Sequence, residues 1–222
     1  MDITLKAADG HSFAAYLCGP ENARAGVVVL PEIFGINAHI RDMADRFAAQ
    51  GYRAICPSLF DRAENGGTGL QLNYDDAGLQ HGLALRKSIP DEGALLDIEA
   101  AAAALQGQSA RLVTGYCWGG YLSWRAICHS DTFAAASCWY GGGIARHAQD
   151  TPRAPVQLHF GAQDGSIPLS DVETIRAAHP ELPVYVYADA GHAFGRDGSK
   201  AHHPDSARQA WERTLAFFAE HA

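Results

Sequence analysis

A run of apolar residues from Ala25 to Leu30, in "AGVVVLPEIFG", limits the folds open to this chain more than any other stretch. A continuous run rich in β-branched residues, without polar alternation, is typical of a strand buried on both faces. Pro31 ends the run. Strands of this kind occur in sheets that helices cover on both sides, so the stretch favours an α/β architecture.

The rest of the chain alternates short apolar strands with helical periodicity. Further strands are predicted at 3–7, 12–18, 52–57, 111–116 and 133–140 and from about 155 and 182, and helices at 38–50, 71–87, 91–105, 118–129, 169–179 and from 204. This order predicts an α/β fold with a mostly parallel central sheet covered by helices on both faces. No stretch resembles a linker, so residues 1–222 are predicted to form a single domain. The apolar face of the last helix is predicted from the spacing of Ala207, Trp211, Leu215 and Phe218.

Charge and cysteine content argue against several classes of protein. The 222 residues include 17 Lys and Arg against 25 Asp and Glu, a formal net charge of −8, so no nucleic acid or membrane partner is expected. No apolar run approaches the roughly 20 residues that span a bilayer, and the first residues lack a secretory signal, so a cytoplasmic location is expected. Five cysteines without a CxxC pair argue against a disulfide framework.

The stretch "RLVTGYCWGG" places Cys117 between a predicted strand and a predicted helix. A nucleophile elbow needs small residues two positions before and after the nucleophile, because the turn is strained and larger side chains would collide. Gly115 and Gly119 meet that need, and Gly120 allows the helix to pack closely on the sheet. The positive end of the helix favours a thiolate and a developing oxyanion. The pattern therefore predicts a catalytic thiol, and the alternative is a glycine-rich turn with an incidental buried cysteine.

Three more reactive residues follow predicted strands: Glu32, Asp164 and His192. Each is expected within about two residues of a strand end, where active sites of open α/β sheets form. A thiol needs a base, and the base needs a carboxylate that fixes its tautomer. Since Cys117, Asp164 and His192 occur in the order nucleophile, acid, histidine, they are predicted to form a catalytic triad. Taken singly, the aspartate would be a turn residue and the histidine a solvated loop residue.

Four stretches resemble the dienelactone hydrolase family of the α/β-hydrolase superfamily: "LPEIFGIN" (30–37), "GYCWGG" (115–120), "GAQD" with "IP" after it (161–168) and "AGHAFGR" (190–196). The resemblance implies the α/β-hydrolase fold and a Cys117–His192–Asp164 triad. It also implies an oxyanion hole made by the backbone N–H groups of Ile33 and Trp118. The implied reaction is hydrolysis of a small-molecule lactone or ester through a thioester acyl-enzyme, and no cofactor is expected.

Glu32 has two interpretations. A carboxylate near a thiol suppresses the free thiolate. The resemblance implies that Glu32 keeps the resting Cys117 away from His192 until substrate arrives, which protects the thiol from oxidation and alkylation. The alternative is a structural carboxylate that caps the nearby helix.

Substrate contacts are predicted from fewer residues. Arg196 matches a family arginine that contacts the substrate carboxylate, and its planar fork suits that task. A second family arginine has no clear counterpart, because Arg86 is the only arginine in its region and falls out of register. Phe34 and Tyr140, together with Trp118 and Phe194, are expected to line a small apolar pocket, with packing in the core as the alternative.

Two other functions fit parts of the pattern. A class I amidotransferase-like thiol enzyme also has an elbow cysteine and can have an early glutamate, but it has no obvious use for Asp164. A binding module that has lost its activity would keep the pocket, and the intact triad argues against it. No metal site is expected at His202 and His203, because adjacent histidines point in different directions. The chain is expected to be a monomer or a small homo-oligomer.

Overall fold

Eight strands form the central sheet in a computed structural model that describes all residues from Met1 to Ala222. The strands are β1 (Asp2–Lys6), β2 (Ser12–Cys18), β3 (Ala25–Leu30), β4 (Arg53–Pro57), β5 (Ala110–Tyr116), β6 (Ala135–Trp139), β7 (Val156–Gly161) and β8 (Val184–Tyr187). Their order in the sheet is β1-β2-β4-β3-β5-β6-β7-β8. β2 pairs antiparallel with β1 and β4, whereas β3 with β4, β6 with β7, and β7 with β8 are parallel. The prediction of a mostly parallel sheet is confirmed.

Five α-helices lie between these strands along the chain, and a sixth follows β8. They are α1 (Ala38–Ala49), α2 (Asp76–Lys87), α3 (Asp91–Ala103), α4 (Trp118–His129), α5 (Leu169–Ala178) and α6 (Pro204–Glu220), with short 3₁₀ helices at Leu59–Arg62 and Ile144–His147. No helix has the length and apolar character needed to cross a membrane. The backbone divides into two compact units, Met1–Leu112 and Val113–Ala222, and the single domain over residues 1–222 stays a prediction.

In the first unit, every residue of β3 is buried, as its apolar run predicts. The helix after it begins where expected, because the Asn37 side chain caps α1 by accepting the Ile40 N–H at 3.2 Å. A buried carboxylate, Asp97 of α3, anchors the opposite part of this unit. Arg62 donates to it at 2.6 and 2.8 Å, and His11 hydrogen bonds it at 3.0 Å. These bonds satisfy a charge that would otherwise be costly to bury.

The predicted start of α2 is wrong by several residues. The helix begins at Asp76 rather than at residue 71, since the Asp75 side chain caps it by accepting the Gly78 N–H at 2.7 Å. The residues before the cap are extended instead. Gln71 forms an isolated antiparallel bridge with Gly35, and that pairing competes with helix formation.

In the second unit, the predicted apolar face of α6 is correct at Phe218 and wrong by one residue at its other three positions. The fully buried positions are Ser206, Ala210, Thr214 and Phe218, whereas Ala207, Trp211 and Leu215 are half-buried. Thr214 is tolerated inside because its hydroxyl joins a polar network. It lies 2.9 Å from the Ser137 hydroxyl and accepts the Trp139 Nε1–H at 3.2 Å. These hydrogen bonds therefore allow the polar side chain of Thr214 to lie on the buried face of α6, beside the apolar Ala210 and Phe218.

Candidate active site

Cys117 occupies a strained turn between β5 and α4. Its backbone has φ 55° and ψ −110°, and such a conformation costs a non-glycine residue about 1–3 kcal/mol. The Cys117 N–H donates to the Trp139 carbonyl at 3.0 Å. A Cβ atom on Gly120 would lie 2.3 Å from that same carbonyl oxygen. Glycine at position 120 is therefore what lets the first turn of α4 approach the end of β6, as the sequence predicts.

Asp164 is held rigidly in the loop after β7. Its side chain is completely buried, and one oxygen, Oδ1, accepts the backbone N–H groups of Ser166 at 2.8 Å and Ile167 at 3.1 Å. The other oxygen, Oδ2, lies 2.7 Å from Nδ1 of His192. A buried carboxylate with its acceptors filled in this way has little freedom to rotate, so it gives Nδ1 of the histidine a fixed partner.

The loops that carry Asp164 and His192 are joined through their backbones. The Ala162 N–H donates to the Tyr187 carbonyl and the Gln163 N–H to the Ala190 carbonyl, both at 2.9 Å. A Cβ atom on Gly161 would lie 2.3 Å from the Ala190 oxygen, so this approach requires glycine. The loop geometry, rather than the strand ends themselves, brings the acid and the histidine together.

The distance of each residue from its strand corrects one expectation. Glu32 is two residues beyond Leu30 of β3, and Cys117 directly follows β5, as predicted. Asp164 is three residues beyond β7 and His192 five residues beyond β8, so both lie farther along their loops than expected. Longer loops leave room for the backbone pairing that positions these two side chains.

His192 connects the thiol to the carboxylate. Because Nδ1 faces Asp164, the remaining ring nitrogen is available for the hydrogen bond with Cys117. Burial by itself lowers the pKa of His192, but the hydrogen bonds and negative charges of Asp164 and Cys117 outweigh it and raise the pKa to about 10. A protonated imidazole beside a sulfur stabilises negative charge there. A thiol, a base and an orienting carboxylate in series can carry out nucleophilic acyl transfer.

The other four cysteines have a different environment. Burial raises the pKa of the Cys56 and Cys138 thiols well above the usual range. It also raises the pKa of Cys128 to about 12, and burial together with Asp45 raises that of Cys18 to about 12. These thiols are neutral near pH 7 and therefore poor nucleophiles.

Glu32 belongs to the first unit and is completely buried. The Tyr74 hydroxyl donates to its Oε2 at 3.2 Å, although Tyr74 itself is 40% exposed. Asn37 caps α1, so the capping role weighed for Glu32 is filled by another residue. Tyr74 has no place in the sequence-based prediction because its segment was predicted as helix. The acidic pair Asp75–Asp76, typical of a helix start, is the signal that would have separated it from α2.

The predicted pocket residues Phe34 and Tyr140 are both buried. Phe34 is 5% exposed, and its ring forms a T-shaped pair with that of Tyr74 at a centroid distance of 4.7 Å. Tyr140 has no exposed surface, and its ring lies 5.3 Å from the His192 ring. Tyr140 therefore packs beside the histidine rather than facing solvent. Trp118, the first residue of α4, is also buried.

The other residues considered for substrate or metal binding lie in separate segments of the chain. Arg196 is half-buried in the loop that carries His192, and Arg86 lies in the last turn of α2. No group of three or more His, Cys, Asp or Glu side chains is arranged to hold a metal ion. His203 caps α6 by accepting the Ser206 N–H, and His202 pairs with Asp197 at 2.9 Å.

Comparisons with known proteins agree with this arrangement. The model of the dienelactone hydrolase family matches residues 13–222. A Salmonella typhimurium protein with the provisional name carboxymethylenebutenolidase is 35% identical over 99% of this chain and 87% of its own length. The carboxymethylenebutenolidase of Pseudomonas putida is 32% identical over 98% of this chain and 95% of its own. A crystal structure of a Klebsiella pneumoniae protein, provisionally named dienelactone hydrolase, has a TM-score of 0.84 and 34% identity, with 99% of each chain covered. The predicted α/β-hydrolase fold is confirmed by this structural match.

Proposed function

Since this chain belongs to the dienelactone hydrolase family and is a hydrolase of lactones or carboxylic esters, we propose that it works through a covalent thioester on Cys117. One observation carries the proposal: Cys117, in the strained turn, is hydrogen bonded to His192, which is hydrogen bonded to Asp164. That series supplies a nucleophile, a base and an orienting acid. The family membership leaves no support for an amidotransferase-like activity.

In the first half of the reaction, the Cys117 sulfur adds to the carbonyl carbon of the substrate. The proton of the thiol is held by His192 as the sulfur attacks, and Asp164 stabilises this cationic form of the imidazole. The tetrahedral intermediate collapses when the bond from carbon to the alcohol oxygen breaks, and that oxygen takes the proton from His192. With a lactone, the alcohol remains attached to the acyl group.

In the second half, water attacks the carbonyl carbon of the thioester. His192 takes a proton from that water, the carbon–sulfur bond breaks, and the sulfur regains its proton as the carboxylic acid leaves. The oxyanion of both tetrahedral intermediates is assigned to the backbone N–H groups of Ile33 and Trp118. Support for Trp118 comes from its place at the start of α4, where backbone N–H groups point out of the helix toward negative charge.

The test uses Cys117→Ala, with Cys128→Ala as a matched control in the last turn of the same helix. A panel of lactones and aryl esters is assayed with all three proteins, and intact-protein mass spectrometry follows the acyl adduct. Cys117→Ala is expected to lose turnover and adduct with little change in thermal unfolding, while Cys128→Ala keeps both. Turnover that persists in Cys117→Ala would contradict the thioester mechanism.

Glu32 is assigned the role of restraining Cys117 until substrate arrives. Its support is a completely buried carboxylate, bound by Tyr74, directly before the proposed oxyanion donor Ile33. Under this assignment, the hydrogen bond between Cys117 and His192 belongs to the reactive arrangement. Loss of the negative charge in Glu32→Gln is expected to accelerate iodoacetamide labelling of Cys117 without substrate.

The control for that experiment is Glu21→Gln, which removes an exposed carboxylate from the same unit. It is expected to label at the wild-type rate. Unchanged or slower labelling of Glu32→Gln would mean that the glutamate does not restrain the thiol.

Arg196 is assigned the binding of a substrate carboxylate. Its guanidinium can bind a carboxylate through two parallel hydrogen bonds. Arg196→Gln is expected to raise KM for lactones that bear a carboxylate and to leave KM for neutral aryl esters unchanged. An equal rise for both classes would remove the basis for an anionic substrate.

A further inference from the structure

Strained backbone is concentrated around the predicted triad. The non-glycine residues with positive φ are Cys117 (55°), Tyr140 (37°) and Ala193 (60°). Cys117 is the proposed nucleophile and Ala193 directly follows His192. Tyr140 is distant in sequence from both, but its ring approaches that histidine. Such backbone persists only where the surrounding structure enforces it, so Tyr140 calls for its own explanation.

The Tyr140 ring is enclosed and oriented from several sides. The residue is completely buried directly after β6, and its N–H donates to the His159 carbonyl at 2.7 Å. The ring lies 5.3 Å from His192 at an interplanar angle of 62° and 5.3 Å from Phe194 at 70°. Edge-to-face contacts of this kind prefer a defined geometry. The aromatic ring therefore occupies the space into which the imidazole would otherwise swing.

A hydrogen bond to one nitrogen does not immobilise a histidine. The bond between Asp164 and Nδ1 of His192 fixes one atom of the imidazole and leaves the ring free to pivot about it. The imidazole is also 26% exposed, and the water on its exposed side does not restrain its rotation. A neighbouring ring that blocks the pivot keeps the second nitrogen directed at Cys117.

We propose that Tyr140 is a positioning residue, whose ring holds the His192 imidazole in the orientation that reaches Cys117. This inference rests on the proposed function, since it concerns the same pair of side chains. It replaces the substrate contact that the sequence predicts for Tyr140. Tyr140 has a positive φ directly after β6, and its ring lies 5.3 Å from the His192 ring.

The experiment compares variants that separate the ring from the strain. Tyr140→Phe keeps the ring and is expected to hold kcat within about threefold of wild type. Tyr140→Leu keeps the strain and much of the volume but removes the ring, and kcat is expected to fall roughly 10- to 100-fold at unchanged KM, because small misplacements of a catalytic group have effects of that size. Tyr140→Gly relieves the strain, since glycine adopts positive φ freely, yet it should show a comparable loss of kcat.

Cysteine labelling distinguishes misplacement of His192 from loosening of the fold. Cys138 is completely buried two residues before Tyr140, so iodoacetamide reaches it only if this region opens. Misplacement of the imidazole is expected to slow labelling of Cys117 while Cys138 stays unlabelled in Tyr140→Leu. Labelling of Cys138 in every variant that lacks the ring would show that the ring merely supports the fold, and would overturn the proposal.

Cys117→Ala, measured in parallel, separates this inference from the mechanism on which it rests. Turnover in that variant would remove the thioester mechanism itself. An inactive Cys117→Ala together with wild-type kcat and labelling in Tyr140→Leu would leave the mechanism intact and overturn only the role of Tyr140. If Tyr140→Leu does not fold, an unaltered kcat in Tyr140→Gly would likewise overturn the role of Tyr140.

Discussion

Replacement of Gly161 by alanine is expected to separate the two loops that carry Asp164 and His192. The added Cβ atom would lie 2.3 Å from the carbonyl oxygen of Ala190 and 2.7 Å from both its carbonyl carbon and the Gly191 oxygen. Contacts this short do not occur in folded proteins, and all three atoms belong to the backbone. No side chain can rotate away to relieve them, so one loop must move.

Movement of one loop is expected to lower both the stability of the fold and kcat. Overpacking of an enclosed site costs typically 1–3 kcal/mol, and the rigid neighbours of Gly161 place this change near the upper end, at about 2–3 kcal/mol. For a chain of this length the melting temperature should fall by roughly 4 to 12 °C. Displacement of the loops also lengthens the 2.7 Å bond between Asp164 and His192, and a shift of about 1 Å can lower kcat roughly 100-fold.

Urea unfolding and ester hydrolysis by the same samples measure both effects. Gly165→Ala is the matched control, because nothing lies within 4 Å of a Cβ atom there and its backbone has no positive φ. It should be neutral or stabilise by about 0.4–1 kcal/mol, with wild-type kcat. If Gly161→Ala behaves like Gly165→Ala in both assays, close contact between the loops does not position the acid.

Three further predictions concern buried charges and pH. The pKa of His192 is raised from 6.5 to about 10. The stability that its protonation contributes is therefore complete below about pH 6.5 and is lost as pH rises through about 10. The difference in unfolding free energy between wild type and His192→Gln should shrink between these two pH values. Burial, with a smaller contribution from the Arg213 charge, lowers the pKa of His159 to about 3. Between about pH 3 and 6.5 the unfolded chain therefore binds one more proton than the folded chain, and the free energy of unfolding falls on acidification. His159→Gln should reduce the slope of the urea-derived unfolding free energy against pH by the amount due to about one proton. Asp97→Ala should destabilise the fold by about 3–5 kcal/mol in urea because it leaves Arg62 partly buried without its main partner, and Asp9→Ala, which removes the more exposed partner of the same arginine, should have a much smaller effect.

In the second unit, residue types and their spacing predict a catalytic triad. That prediction depends on the elbow glycines, which follow local backbone rules, and on the chain order Cys117, Asp164, His192, both of which can be read from the sequence. The structure shows His192 hydrogen bonded to Asp164, and the catalytic role of the three residues stays a prediction. Gly120 was also predictable, because close packing of a helix on a strand end requires a residue without a side chain.

Positions governed by tertiary hydrogen bonds were not predictable from periodicity. Thr214 reads as a surface residue of α6, yet it is completely buried because Ser137 and Trp139 bind its hydroxyl. Tyr74 reads as part of a helix, yet its segment pairs with Gly35 and its hydroxyl reaches Glu32. Both partners are far away in sequence, and local propensity contains no information about them.

The sequence by itself determined the α/β class and the glycine-flanked turn at Cys117, because each depends on short stretches whose backbone conformation is set locally. It also predicts Cys117 as nucleophile, with Asp164 and His192 as its acid and base. Only the tertiary structure decided how the two loops approach through Gly161, and that Tyr140 lies against His192 instead of facing solvent. Those features depend on contacts between segments separated by tens of residues. Their geometry is fixed by close packing and hydrogen-bond satisfaction in the folded chain, which no single stretch of sequence specifies.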